Sequence, residues 1–511
     1  MALSLCPGWS AAEDLVARGR RIYESGMSTD GQPVQAQGAG GSRLQGEAAA
    51  CTGCHRRSGM GSREGRVIVP PVTGAILYAQ PQQVWPQRPG RPAQTVVPLR
   101  MMARDAYDDA RLARAIGAGI DSSGVPLDEL MPRYALSAAD MQGLLAYLKL
   151  RWSAPVPGLS GQGIRLATII TPDADPARAS GVAVALTAWS RSGALGGMPI
   201  DLQIWRLAGA PDTWGAQLRA WQLSKPVFAV LSGAGGANWA PVRDFCEQAA
   251  LPCLFPMVDM APEDDQDFYS MYLSRGVWLE ARILARQIRE QPTPAARVLQ
   301  WVDNEAGERA AQLLTQELAP AHALVRRWDE QAAAAMLTEL RPSDVLVSWL
   351  NAEHLSQLAR AQPDGPGVRQ ATFSAQLAPP LKTALPQGWR QDARWISLRS
   401  DPQRVRGQGV LGLTPWLARL PGLPGDETWL SELYAATYFF GDALSRMRGR
   451  WSAEYLLETL ETSHFSRPAG AAYYALSLAA GQREAAKSGH LIGFTGPTLQ
   501  ELLPLSPRLS P

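Results

Sequence analysis

Residues 51–55 read Cys51-Thr-Gly-Cys54-His55. Two thiols separated by two residues can each add across a vinyl group of a haem, and a histidine directly after the second is placed to bind the iron from one face. One covalently attached haem c is therefore expected, held by Cys51 and Cys54 with His55 as an axial ligand. Other uses of such a pair fit less well. A tetrahedral zinc site needs four ligands, and outside this peptide the cysteines are Cys6, Cys246 and Cys253. A thiol-redox motif follows a strand and opens a helix, whereas the lead-in from Gly31 to Ala50 is rich in Gly, Gln and Ala.

The flanks of the pentapeptide decide the fold around it. Ala12-Glu13-Asp14 opens a helical pattern through Leu15, Ala17, Gly19 and Tyr23, with acidic residues in the first turn where they suit the helix dipole. Downstream, Ser137-Ala-Ala-Asp140 has the form of a capping box, and Met141, Leu144, Leu145, Tyr147 and Leu148 repeat at helical spacing toward Trp152. Gly19 is expected where the first helix crosses Tyr147 of the last, since a side chain there would hold the backbones apart.

With Gly19-Arg-Arg-Ile-Tyr23, the haem peptide, Met131-Pro-Arg-Tyr-Ala-Leu-Ser137, Asp140 and Leu145-Ala-Tyr-Leu148 in view, residues 13–152 resemble an all-α class I c-type cytochrome domain. The resemblance implies that Met131 is the second axial ligand of the iron, and that carbonyl groups after the haem peptide, in the Val69-Pro70 segment, accept the second ring N–H of His55. It also implies one-electron transfer with a redox partner protein, a periplasmic dehydrogenase or oxidase. Composition agrees with a sulfur ligand, because His55 is the only histidine before His322. Met101 and Met102 stay open as alternatives. Met60 is too near His55 to reach the opposite haem face, and Met141 falls within the last helix, where it suits packing.

At 511 residues the chain is too long for one core, and further lobes are expected after the first domain. A formal net charge of +2 without a basic run argues against nucleic acid as a partner. No apolar stretch reaches the roughly 18 residues that a membrane-spanning helix needs. Residues 1–12 read as the remnant of a signal peptide, with Ser10 and Ala12 in a cleavage-site pattern. Export to the periplasm is expected from that segment and from the resemblance, since haem c is attached outside the cytoplasmic membrane in that family. An oxidising compartment suits a disulfide between Cys246 and Cys253, which bracket the end of a helix turning into a strand; two buried thiols are the alternative.

Residues 153–161 have linker composition, and the pattern of residues 162–511 changes character. Apolar runs at 164–170, 200–205, 227–231, 253–256, 298–302, 323–325 and 345–349 alternate with helical stretches, the arrangement of parallel α/β architecture. On that order, and on Pro226-Val-Phe-Ala-Val-Leu-Ser-Gly233, Tyr272-Leu-Ser-Arg-Gly276 and the segments Gly481-Gln-Arg483 and Gly489 to Phe494, the region resembles a two-lobed type I periplasmic binding protein. The branch is that of the branched-chain amino-acid receptors, the substrate-binding components of ABC transporters.

The resemblance implies a small ligand between the lobes, with Ser232 and the flexible Gly233 and Gly236 in a ligand-holding loop. Trp239, Tyr269, Tyr272 and Trp349 are the candidate walls, and packing within a lobe is the competing use of each. No serine–threonine pair follows Ser232, which speaks against α-amino acids. No catalytic residues are expected: there is no Gly-x-Ser-x-Gly elbow and no His-Glu-x-x-His helix, and His322, His354, His464 and His490 stand singly. Asp264, Asp265 and Asp267 form an acidic patch that suits a solvated loop, with a cation site as the alternative. The chain thus reads as a periplasmic electron carrier whose second domain serves docking or ligand gating. The alternative is a solute receptor for uptake or sensing in which the haem reports or modulates binding, and a weaker option is an oxidase or dehydrogenase.

Overall fold

Helix α1 (Ala11–Ser25) and helix α4 (Ala138–Leu150) cross where α1 has no room for a side chain at Gly19. A Cβ at Gly19 would lie 1.9 Å from the Gly143 carbonyl oxygen. The crossing continues into Tyr23 and Tyr147, whose ring centroids are 5.4 Å apart. This computed structural model describes residues 11–64, 67–80, 104–150, 155–193, 195, 197–262, 267–291, 297–318, 323–331, 333–399, 416, 418, 427–463, 473, 476–495 and 498–505. The chain divides into two units, Met1–Val156 with Arg450–Glu458, and Pro157–Gly449 with Thr459–Pro511.

Between α1 and α4 the first unit runs through β1 (Gln35–Gln37), β2 (Arg43–Gln45), α2 (Thr52–His55), β3 (Ser62–Glu64), β4 (Val67–Val69), α3 (Asp109–Ala118) and β5 (Arg133–Tyr134). The all-α expectation needs correcting here. Strands in the order β2-β1-β5 form a small antiparallel sheet, and β3 pairs with β4. Each has only two or three residues, too few to leave an alternating pattern in the sequence. The core gathers Ile22, Tyr23, Leu112, Ile116, Tyr134, Leu144 and Leu148, with Cys51 and Met131 at its margin. Met101 and Met102 lie outside the described residues, as do the first ten residues, which hold most of the expected signal remnant.

In the second unit, β6 (Leu159–Ser160) begins inside the stretch read as linker and pairs antiparallel with β7 (Gly163–Ile170). There follow α5 (Pro176–Arg191), β8 (Ile200–Arg206), α6 (Trp214–Ser224), β9 (Ala229–Gly235), α7 (Ala240–Gln248), β10 (Cys253–Leu254), β11 (Met257–Val258) and β12 (Ser270–Met271). Strand β7 has β8 on one side and β9 on the other, all parallel, so chain order reverses about β7. Asp175 caps α5 by accepting from the Arg178 N–H at 2.7 Å, with Pro176 in the first turn as its fixed φ favours.

A second lobe follows through α8 (Val277–Arg289), β13 (Val298–Val302), α9 (Glu305–Leu318), β14 (Ala323–Arg327), β15 (Val345–Trp349), α10 (Ala352–Ala361), β16 (Gln370–Ser374) and β17 (Ala393–Ser397). Helices α11 (Glu427–Met447) and α12 (Ala453–Glu461) precede β18 (Gly489–Thr495) and β19 (Thr498–Leu505). The sheet runs β14-β13-β15-β16-β17-β18-β19, parallel through β17 and antiparallel beyond it. Strands β13 and β15 are buried along their whole length, as covering both faces of a parallel sheet requires. Among the described residues no helix is long and apolar enough to cross a membrane.

Candidate functional site

Helix α2 is a single turn that begins just after Cys51 and ends on His55. Cys51 is half-buried and Cys54 exposed. His55 is buried, with Nδ1 2.9 Å from the Pro70 carbonyl oxygen. Burial holds its imidazole below the usual histidine range, so the ring is neutral near pH 7. A neutral ring that donates from Nδ1 keeps the lone pair of Nε2 for a metal. Of the two residues expected to support the ring, Pro70 makes the contact, while Val69 closes the β3–β4 pairing opposite Ser62.

Burial pushes the Cys51 thiol up to about 12, with the Tyr134 hydroxyl partly opposing that rise. Tyr134 also donates to the Ala49 carbonyl at 3.0 Å and pairs with Ala36, tying β5 to the approach to Cys51. Met131 stands on the loop just before β5 and packs, half-buried, against the unit's core. Glu458 belongs to the same unit, and its carboxylate accepts from the Ser58 N–H at 2.8 Å. Two thiols three residues apart, a neutral imidazole with one nitrogen committed and a thioether on a tethered loop are donors that fit a covalent haem. When bound, the group supplies one-electron exchange between ferric and ferrous iron.

The expected ligand loop of the second unit is a strand. Ser232 lies within β9, buried, at φ 56, and its hydroxyl has no hydrogen-bond partner among the described residues. It sits at a register shift between β7 and β9, where the Thr168 hydroxyl is likewise without a partner. Gly233 follows in the same strand. The aromatics expected as walls are packing residues. Trp239 and Tyr272 belong to the first lobe's core, and burial raises the Tyr272 phenol well above its usual range. Tyr269 is buried beside β12, and Trp349 is buried with Nε1 donating to Gln300 at 3.0 Å. The reason is common to all four: aromatic area is as useful to a core as to a pocket, and sequence alone does not separate the two.

At the reversal point about β7, the carboxylate of Asp173 accepts from the N–H groups of Gly236, at 3.2 Å, and Asn238, at 3.0 Å. Donors of the kind that hold an anionic ligand at a strand's carboxyl end are thus already engaged by an internal acid. Across the mouth, Asn238 donates to Glu305 at 2.6 Å and Arg309 to the Ala237 carbonyl at 2.9 Å. Deeper in, Gln376 donates to Asp259 at 3.1 Å, and Asp259 also pairs with Arg178 at 2.9 Å.

Between these contacts lies a cavity of about 10 Å³, lined by Ser274, Gln376, Arg399, Glu432 and Tyr473 among others. That is room for roughly one water. Arg399 pairs with the buried Glu432 carboxylate. Burial works against the arginine's charge, but Glu432 and its neighbours outweigh it and raise the guanidinium above its ordinary range. Nearby, burial pushes the Glu280 carboxyl up to about 8, although it accepts from Ser374 and from the Gln376 N–H at 3.1 Å.

Several of these groups escaped sequence reasoning. Glu432 hides in an apolar helical run, Leu430-Ser-Glu-Leu433, where a lone acid is the only signal. His354 does not stand singly: Nδ1 lies 2.7 Å from the buried Asp303 carboxylate, and Trp328 stacks on the ring at 4.8 Å. These three follow β13, β14 and β15, so the sheet brings together residues far apart in sequence. Asp267 is no solvated loop residue, because it is ion-paired with Arg243 at 3.2 Å and its side chain is 4% exposed. Asp264, Asp265, His322 and His464 lie outside the described residues. Cys246 and Cys253 are joined as a disulfide from the end of α7 to the start of β10.

No family model matches the chain, and no curated protein matches it. Solved structures do resemble it. A possible leucine/isoleucine/valine-binding protein from Rhodopirellula baltica SH 1 is 13% identical, covering 68% of this chain and 98% of its own at a TM-score of 0.51. The leucine-binding protein LivK from Thermotoga maritima MSB8 is 14% identical over 67% of this chain and 99% of its own, with a TM-score of 0.50. A fatty acid ABC transporter substrate-binding protein from Thermomonospora curvata is 12% identical over 68% of this chain and 93% of its own, with a TM-score of 0.51. The α/β architecture is thus the two-lobed fold of type I periplasmic binding proteins.

Proposed function

We propose that the chain is an exported solute-receptor-type protein that carries one covalent haem c. The second unit receives a small molecule between its lobes, and the haem reports or modulates that binding from the first. The receptor half rests on the two-lobed fold, whose solved neighbours include proteins named for leucine and for fatty acids. The observation that carries it further is the Arg399–Glu432 pair at the interlobe cavity, a partly buried cation that an acidic solute can engage when the lobes part. The haem half is supported by His55, whose Nδ1 is committed to the Pro70 carbonyl, together with the thiols of Cys51 and Cys54. In this reading Cys51 and Cys54 form the thioether bonds, His55 and Met131 bind the iron, and Pro70 orients the histidine ring. The compartment is the periplasm.

A cavity of about 10 Å³ favours a second reading. In that reading the receptor-like unit stays shut and serves as a docking body for a redox partner, and the protein is an electron carrier. One experiment separates them. The full chain is produced in a host that attaches haem c, checked for a haem-sized mass increment after denaturation, and screened by thermal shift against amino acids and short- and long-chain carboxylic acids. The midpoint potential is then measured with and without each hit. A stabilising solute that also shifts the potential supports the receptor reading. Haem without any stabilising solute leaves the electron carrier, and colourless protein overturns the haem in both.

A further inference from the structure

We propose that Arg133 is the residue that positions Met131, by fastening the carbonyl groups of the loop that carries it. The inference rests on Met131 being an iron ligand. The Arg133 guanidinium donates to the carbonyl oxygen of Met131, to that of Leu127 at 3.1 Å and to that of Asp128 at 3.4 Å. The same loop is closed from within. Asp128 accepts the Met131 N–H on its carbonyl at 3.1 Å and the Leu130 N–H on its carboxylate at 3.0 Å. Leu127 in turn donates to the Gly119 carbonyl at 2.8 Å. Residues 127–131 therefore form a small closed loop with three carbonyls on one cation.

Gly119 makes room for that cation. It ends α3 at φ 68, and a Cβ there would lie 1.8 Å from Arg133 Nε. Any side chain at 119 would meet both backbone strain and the guanidinium. Arginine suits the task because its planar fork addresses several carbonyls at once, which the single ammonium of lysine does not. A thioether is a weak donor, so its hold on iron depends on how little its loop must be ordered to reach the metal. Arg133 supplies that order before the ligand bond is made. Its charge has a separate effect, disfavouring ferric iron through space, and lysine would retain that effect.

The test uses the full haem-loaded chain as wild type, R133K, R133M and G119A. Three quantities are read: the sulfur-to-iron charge-transfer band of the ferric form, the affinity for added imidazole that displaces the thioether, and the midpoint potential. Wild type is expected to show the band. R133K and R133M are expected to bind imidazole about tenfold more tightly, the equivalent of roughly one charge-assisted hydrogen bond, with a weakened band. G119A, which displaces the guanidinium without removing its charge, is expected to behave like R133K. Of the variants, only R133M, which loses the positive charge, is expected to change the through-space contribution to the potential. Wild-type imidazole affinity and band in R133K would overturn the inference, because charge alone would then suffice. A wild type without the band would overturn the Met131 reading together with it. Should R133M fail to take up haem, R133K and G119A carry the comparison.

Discussion

Glu280 enters the first turn of α8 with its carboxyl out of water, accepting from Ser374 and from the Gln376 N–H, and the charge of Arg399 lowers it by less than burial raises it. Its raised value of about 8 means that the folded chain holds a proton the unfolded chain releases. The stability from that proton is full below the ordinary carboxyl range, near 4.5, and is lost as pH climbs through about 8. E280Q keeps the shape without the charge. It should flatten the fall in melting temperature between pH 5 and 9 and gain on the order of 2 kcal/mol over wild type at the upper end. A variant whose melting temperature tracks wild type at every pH would count against a buried neutral carboxyl. Cysteine chemistry offers a second check. In cofactor-free protein at pH 7.5, iodoacetamide should label the exposed Cys54 well before Cys51, whose thiol stays protonated. Mass spectrometry of partly labelled protein reads the order directly. The burial of His55 and its contact with Pro70 follow a pattern written in a few consecutive residues. Arg399, Glu432 and the Asp303–His354 pair were not legible in this way, because each acquires its meaning from a partner 33 or 51 positions away.

Between elements, contact distance decides. The α1–α4 crossing places Gly19 against the Gly143 carbonyl, so G19A must push the helices apart. A loss of about 3 kcal/mol is expected for the first unit, the upper range of overpacking, measurable as an earlier loss of near-ultraviolet circular dichroism on heating. The helical spacing through Gly19, Tyr23 and Tyr147 made this crossing readable in advance, although the nearest obstacle proved to be backbone rather than a ring. The disulfide between α7 and β10 closes a short loop in a buried position. Replacing both Cys246 and Cys253 by alanine should lower the stability of the second unit by about 2–3 kcal/mol, seen as a lower urea midpoint with an unchanged slope. Strand and helix alternation was legible as far as β15, where buried parallel strands such as β13 and β15 are apolar runs, whereas β16 and β17 went unread. Ser232 was misplaced for the same reason: an apolar run that ends in Ser-Gly looks like a strand running into a loop. The extra length of β9 to Gly235 depends on pairing with β7 and β11, which no local pattern reveals.

At the scale of the second unit, the two lobes meet through polar groups that are complementary to one another, and this decides what a solute must do to enter. Glu432 is buried and Arg399 partly so, and removing the acid strands the guanidinium beside a cavity with space for little more than a water. E432A is expected to cost about 3–5 kcal/mol, the usual penalty for breaking a buried pair from one side. It also opens the volume of a carboxylate beside the guanidinium. Millimolar acetate or formate should then raise the melting temperature of E432A in proportion to the logarithm of its concentration, while the same concentration of chloride should not. Wild type should show neither response, since Glu432 already fills the place. A solute acid that stabilises wild type would have to displace Glu432 from Arg399, and its effect should vanish in R399M but persist in E432A. If acetate leaves E432A as unstable as chloride does, Arg399 is closed to external carboxylates, and the lobes are fastened together for docking rather than for capture.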